Sequence, residues 1–202
     1  MSNSSVFMSK PAASRTLDLT MTALFTALIA LGGTILKIPL PPPMPAVSTQ
    51  FLFSALAGLL LGKRLGTLSA ALYVVLGLIG LPIFTSGGGI GYVVMPSFGY
   101  LIGFIGNAFL VGLIREHGEK RPGGLKLWHL LFGCLLGILF VYLCGVTHMY
   151  LIYNFYIHSP MSVFAAIQAG MLVFITPDLI WRIFVACIGK RLLRLKRSIV
   201  KA

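Results

Sequence analysis

Leu127-Trp-His-Leu-Leu-Phe-Gly-Cys-Leu-Leu-Gly-Ile-Leu-Phe-Val-Tyr-Leu-Cys-Gly-Val-Thr-His-Met-Tyr150 runs without a single Asp, Glu, Lys or Arg. As a helix rising ~1.5 Å per residue it covers about 36 Å, more than the ~30 Å hydrocarbon core of a bilayer. The stretch predicts a membrane-spanning helix, and the rest of the chain agrees. It is 57% apolar and only 10% charged, against about a quarter charged in soluble domains, and its mean hydropathy is +0.95. The 202 residues suit one helical bundle, residues 17–202, after a disordered cytoplasmic tail at 1–16.

Working outward from the quoted span, apolar runs predict five more. The first covers about Leu19–Leu36, retained as a helix and not cleaved as a signal peptide although Lys10 and Arg15 precede it. The Pro-rich segment 39–45 then forces an extended connection. The second span covers about Thr49–Gly62, the third Gly66–Leu81, and the fourth Pro96–Ile114. After the quoted fifth span come a polar-aromatic stretch (153–160) and a short helical piece near Ser162–Gly170. The sixth span begins near Pro177 and ends about Leu195. The expected fold is thus an all-α integral membrane protein of six transmembrane helices in one compact bundle, with long irregular outer loops.

Charge placement supports this layout. Fourteen of the 16 Lys and Arg fall on one side: Lys10, Arg15, Lys63, Arg64, four between 115 and 126, and six between 190 and 201. The excess of Lys and Arg in cytoplasmic segments places both termini in the cytoplasm. The net charge of +12 then marks topology and contact with the lipid bilayer, with no nucleic-acid partner. The expected location is the bacterial cytoplasmic (inner) membrane, crossed several times.

Three charges lie outside that pattern: Lys37, Asp178 and Arg182. An ionisable residue at membrane depth is a functional-site hypothesis. Thr176-Pro177-Asp178 reads as a helix start, with Thr176 as N-cap, Pro177 in the first position and Asp178 in the first turn. Arg182 follows at i+4 on the same face. Two readings stand: a structural Asp–Arg pair, or a carboxylate for ligand N–H groups with a cation for a ligand anion.

Other motifs exclude more than they assign. Gly58-Leu-Leu-Leu-Gly62-Lys63-Arg64 lacks the spacing and the hydroxyl of a phosphate-binding loop, so the chain has no ATPase site of its own. The glycines at 87, 88, 89 and 91 suit close backbone approach to a ligand or helix, or a plain turn. Cys134, Cys144 and Cys187 lack C-x-x-C spacing, and the four histidines form no metal pattern, so no cofactor or metal is expected. Without a G-x-S-x-G element or an acid cluster, an enzyme is not indicated. Ala23, Ala27 and Ala30 give the first helix a smooth face, for internal packing or for docking a membrane partner.

A series of segments resembles a known family. These are Ser48-Thr-Gln50-Phe-Leu-Phe-Ser-Ala-Leu-Ala-Gly-Leu-Leu-Leu-Gly62-Lys-Arg-Leu-Gly66, Leu72-Tyr73, Gly80-Leu-Pro82-Ile-Phe84, Pro96-Ser-Phe-Gly99-Tyr100-Leu-Ile-Gly103-Phe104, Ala169-Gly170 and Pro177-Asp178. They resemble BioY, the biotin-specific substrate-binding subunits (S components) of energy-coupling-factor (ECF) vitamin transporters, over about residues 20–114 and 165–190. The resemblance implies a six-helix subunit that captures biotin from outside. It also implies an ECF transmembrane coupling protein and two cytoplasmic ATPase subunits as partners, docked through an A-x-x-x-A motif matched by Ala23 and Ala27.

The family's last helix carries an acid with lysine at +3; here Asp178 is followed by Trp181 at +3 and Arg182 at +4. Biotin's ureido group offers two N–H donors and a carbonyl, its thiophane ring is apolar and its valerate ends in an anion. The resemblance therefore assigns Asp178 to the ureido N–H groups, with Gln50 and Asn154 completing the polar set. Tyr92, Tyr100 and Trp181 would pack on the ring, Gly88 would approach closely, and Arg182 or Lys37 would meet the carboxylate. A different vitamin, or a non-transporting scaffold with a purely structural Asp178–Arg182 pair, are the rival readings.

Overall fold

The computed structural model describes the backbone of residues 12–201, and side chains over 15–175 and 178–193. Helix α1 spans Ala12–Thr34. Helical structure thus already includes 12–16, expected in the tail; residues 1–11, with Lys10, lie outside the described residues. α1 buries Thr22, Phe25, Thr26 and Ile29 and leaves Ala23 and Ala27 exposed. Thr26 bridges outward from α1: its hydroxyl donates to the Ser69 carbonyl at 3.0 Å, the kind of interhelical bond available where water is not.

The Pro-rich segment is extended as expected, but it is also pinned. Lys37–Ile38 (β1) pairs antiparallel with Val47–Ser48 (β2), in the register Lys37 to Ser48 and Ile38 to Val47. Residues 39–46 form a strap between them. Helices α2 (Gln50–Leu61) and α3 (Lys63–Leu78) follow, separated by Gly62 alone. Lys63 and Arg64 therefore open α3 and do not close the helix before it. Gly62 has φ 87°, a left-handed value that glycine adopts without strain. At this corner the Lys63 backbone N–H donates to Glu116 Oε1 at 2.9 Å.

After α3 a loop leads through a 3₁₀ turn at Ile90–Val94 into α4 (Phe98–Lys120). α4 runs six residues past the expected end at Ile114, because Arg115 and Glu119 pair at i,i+4 with 3.1 Å between Nε and Oε1 and extend the helix on its polar tip. α5 (Leu127–Leu151) continues as a π-helical turn, Ile152–Tyr156. The last segment departs most from expectation. Helix α6 (Val163–Ile167), capped by Ser162, passes through a π-helical turn at Gln168–Leu172 into α7 (Val173–Lys201). Asp178 thus lies inside a continuing helix, so the Thr176 N-cap and the favourable helix end at Asp178 are corrected. The segment bends by 44° between Val163–Ile175 and Asp178–Leu193, where the chain carries Pro177, a residue that removes a helix hydrogen bond.

Among the described residues, three helical stretches are long and apolar enough to cross a bilayer: Arg15–Thr34, Phe98–Lys120 and Leu127–Tyr156. The bent segment is a fourth if counted as one. α2, with 12 residues, rises only about 18 Å, yet it sits centrally, with eight of its residues buried. The outer surface carries large apolar side chains such as Leu139, Leu143, Ile180 and Ile183, an arrangement suited to lipid and costly in water.

Helix backbones meet closely at Gly58. A Cβ there would fall on the backbone of Ala108 in α4, and Gly66 of α3 would place its own Cβ 2.6 Å from the Gly58 Cα. Gly58→Val is expected to lower stability in detergent by about 1–3 kcal/mol, the usual range for overpacking. Gly91→Ala, where an added Cβ meets nothing within 4 Å, should stay within ~0.5 kcal/mol of the parent. Thermal unfolding of the two purified variants compares them directly, and equal melting temperatures would refute the close-packing account.

Candidate ligand-binding site

A small cavity of about 60 Å3 opens between the strap, α2, α4, α5 and α7. Its walls are mostly apolar: Val47, Phe51, Leu101, Phe104, Val141 and Phe174. Polar groups enter at two places. Asp178 and Tyr142 lie together, the Tyr142 hydroxyl donating to Asp178 Oδ2 at 2.7 Å. Among the described residues Tyr142 is the one hydrogen-bond partner of this carboxylate, which leaves Oδ1 available to a ligand donor. Toward the strap, Thr85, Tyr92 and Ser97 join in a ladder, with 2.8 Å from Thr85 Oγ1 to Tyr92 OH and 3.0 Å from there to Ser97 Oγ.

Four of the residues singled out in the sequence line this cavity: Gln50, Tyr92, Tyr100 and Asp178. Gln50 is fully buried at the start of α2; its Oε1 accepts from Ser48 at 3.1 Å and its amide donates to Tyr73 OH. Tyr100 presents its ring, while its hydroxyl donates to the Gly170 carbonyl at 2.8 Å and ties α4 to the π-helical turn before α7.

The other five lie elsewhere. Trp181 is exposed on the outer face of α7, edge-on to Phe184 with 5.7 Å between ring centroids, because the +3 position turns away from the cavity. Asn154 is occupied in closing a turn: its side chain donates to the Tyr150 and Met161 carbonyls and accepts from the Met161 N–H. Gly88 packs against backbone, where a Cβ would strike Leu81 and lie 3.1 Å from the Gly77 carbonyl; its close approach is to the end of α3. Lys37 stands outside the cavity and donates to the Thr85 carbonyl, holding the strap to the loop after α3.

Arg182 is the fifth. It is 3% exposed and does not line the cavity; it lies beneath it, its guanidinium carbon 5.4 Å from the centroid of the Phe51 ring. Nη1 donates to Asn107 Oδ1 at 3.2 Å and to the Cys134 carbonyl at 2.5 Å. Asn107 in turn donates to the Phe51 carbonyl at 3.0 Å and to Ser54 Oγ at 2.7 Å. Nε and Nη2 have no partner among the described residues. No ion pair joins Arg182 to Asp178 there. Each finds its own partner on α5, and Tyr142 and Cys134 stand about 12 Å apart along that helix.

Sequence reasoning missed Tyr142, Phe51, Phe104 and Phe174. The one available signal was Tyr142, a hydroxyl in the middle of an otherwise apolar span that needs a partner at that depth. Asn107→Leu should cost stability, since it strands further guanidinium donors at about 1–3 kcal/mol for each unsatisfied group. Adding Arg182→Met should recover most of that loss, as replacing a buried charge together with its partner by apolar groups is often neutral. Melting temperatures of the single and double variants in detergent decide; a double variant no more stable than Asn107→Leu would refute the network.

Known proteins match this chain along nearly its whole length. The sequence pattern described as the BioY family matches residues 4–198. The chain is 37% identical over 183 residues to the probable biotin transporter BioY of Lysinibacillus sphaericus, covering 91% of this chain and 90% of that one. It is 39% identical over 174 residues to the biotin transporter BioY of Thermotoga maritima, with 86% and 94% covered. A crystal structure of the S-component for biotin from an ECF-type ABC transporter superposes with a TM-score of 0.79 at 29% identity, covering 92% of this chain and 95% of that one. On the strength of a family match that reaches from residue 4 to residue 198, the chain belongs to the BioY family.

Proposed function

We propose that this chain captures biotin in the cavity between α2, α4, α5 and α7 and serves its uptake as the membrane-embedded S component of an ECF-type transporter. The observation that carries the reading is the Asp178 carboxylate, held through one oxygen by Tyr142, in a cavity that is otherwise mostly apolar. A ureido N–H donating to Oδ1 makes a charge-assisted bond. The thiophane ring fits the aromatic and aliphatic walls. Arg182 supports the cavity floor from behind Phe51, and the ligand carboxylate faces the strap and Lys37. Relatives that carry the biotin transporter name, and the solved S component for biotin, support the substrate.

The chain crosses the bacterial cytoplasmic membrane six times in this reading, with both termini inside and the strap outside. The basic residues grouped in the cytoplasmic segments support that sidedness. The short α2 and α3 cross as part of the bundle, α2 shielded by its neighbours and α3 presenting Leu68, Leu72 and Val75 outward. The coupling protein and two ATPase subunits dock from the membrane and the cytoplasm. The exposed Ala23 and Ala27 on α1 support a docking face there, since internal packing would bury them.

Labelled-biotin binding to the purified protein tests the substrate. The native chain should bind saturably, and Asp178→Asn should weaken binding roughly 10- to 100-fold, the equivalent of one charge-assisted hydrogen bond. Absence of saturable binding by the native protein would overturn the proposal, whereas an unaffected Asp178→Asn variant would remove Asp178 from the site alone. Ala27→Trp should abolish co-purification with the coupling protein and leave biotin binding intact; retained co-purification would place the docking face elsewhere.

A further inference from the structure

The binding cavity does not end at the strap. A second cavity of about 280 Å3 adjoins it and shares Pro45, Ala46, Thr85 and Ser97 as lining. Beyond that lies an open groove, which shares Pro42, Pro43 and Tyr153 with the second cavity. The boundary between the first two is the hydroxyl ladder of Thr85, Tyr92 and Ser97.

Charge is laid out along this path. Asp178 is the one acid lining the inner cavity, and no acid lines the outer one among the described residues. Lys37 lines the outer cavity. Its ammonium carries three donors, and one is used on the Thr85 carbonyl. A ligand with N–H donors at one end and a carboxylate at the other therefore lies with its donors toward Asp178 and its carboxyl carbon at the hydroxyl ladder. What lies past that carbon is open volume.

Resting on the proposed biotin reading, we infer that the outer cavity is a second subsite, which accepts groups joined to biotin through its carboxyl carbon. The ligand class is biotin amides, including biotinyl-lysine of the kind that proteolysis of biotinylated proteins releases. An amide keeps the carbonyl oxygen that the Thr85 and Ser97 hydroxyls can donate to. It loses only the negative charge that Lys37 faces, a half-exposed contact equivalent to about fivefold in affinity at most.

Competition against labelled biotin on the purified full-length protein tests this with two probes, neutral N-butyl biotinamide and biotinyl-lysine. Both should bind within about tenfold of biotin, a difference of ~1.4 kcal/mol. If biotin binds and both amides fall about a thousandfold or more behind, ~4 kcal/mol, the carboxyl end is enclosed and the inference is overturned. Lys37→Gln should weaken biotin and leave the butylamide unchanged, and a parallel loss for both would contradict the charge layout. Met95 lines the outer cavity alone. Met95→Trp should cost the amides about tenfold, ~1.4 kcal/mol, more than it costs biotin, and equal losses would overturn a separate subsite. If no ligand binds, the proposed function falls and takes this inference with it.

Discussion

Beneath the cavity a single guanidinium holds four helices in register. Arg182 on α7 reaches Asn107 on α4 and the Cys134 carbonyl on α5, and Asn107 carries the connection to Phe51 and Ser54 on α2. These are the four helices whose side chains form the inner cavity. A buried charge is expensive, and one stripped of a partner far more so. The helices therefore cannot slide or separate without exposing donors to hydrocarbon. The cavity floor is fixed by that penalty, with Phe51 laid between the cation below and the ligand space above. Asp178, one turn before Arg182, is then presented at a set height, where Tyr142 meets it.

The apolar spans, the helical class and the stray acid that lines the cavity were legible in the sequence, because hydropathy and stray charge are properties of composition along a line. The partners of those charges were not. Asp178 and Arg182 sit at i and i+4, a spacing that reads as a pair, but each is captured by a group on α5, and such cross-helix geometry leaves no local mark. The helix start at Thr176 was misread for a related reason. Pro177 following a threonine has the chemistry of a cap, yet Ser162 begins the helix, and the π-helical turn at 168–172 carries it onward. A π-helical turn changes the angular phase of every residue after it, so a 3.6-residue wheel drawn from either end gives the wrong face. Trp181, expected to pack on the ring three residues after Asp178, faces outward for a simpler reason, since +3 lies on another side of α7.

The two faces of α1 show how lipid reverses the usual reading of burial. Thr22 and Thr26 turn inward, where Thr26 finds a carbonyl on α3, while Ala23 and Ala27 remain outside. Against water, exposed alanines would be unremarkable. Against lipid, a smooth stripe is where another backbone can come near. Thr22 and Thr26 inward and the small residues outward make α1 both a wall of the bundle and a surface.

A helix of 12 residues has little claim on a bilayer by itself, since a stretch of that length is well short of the roughly twenty residues that partition independently. α2 nevertheless carries Gln50 and Phe51 into the ligand cavity and receives the Asn107 bonds. Its place is owed to α1, α3 and α4, which surround it and spare it contact with lipid. Bilayer thickness, which sorts and tilts lipid-facing helices, thus has no direct hold on this helix, which lines the cavity. The α2 wall of the cavity is insulated in this way, while α5 and α7 carry the lipid-facing side chains.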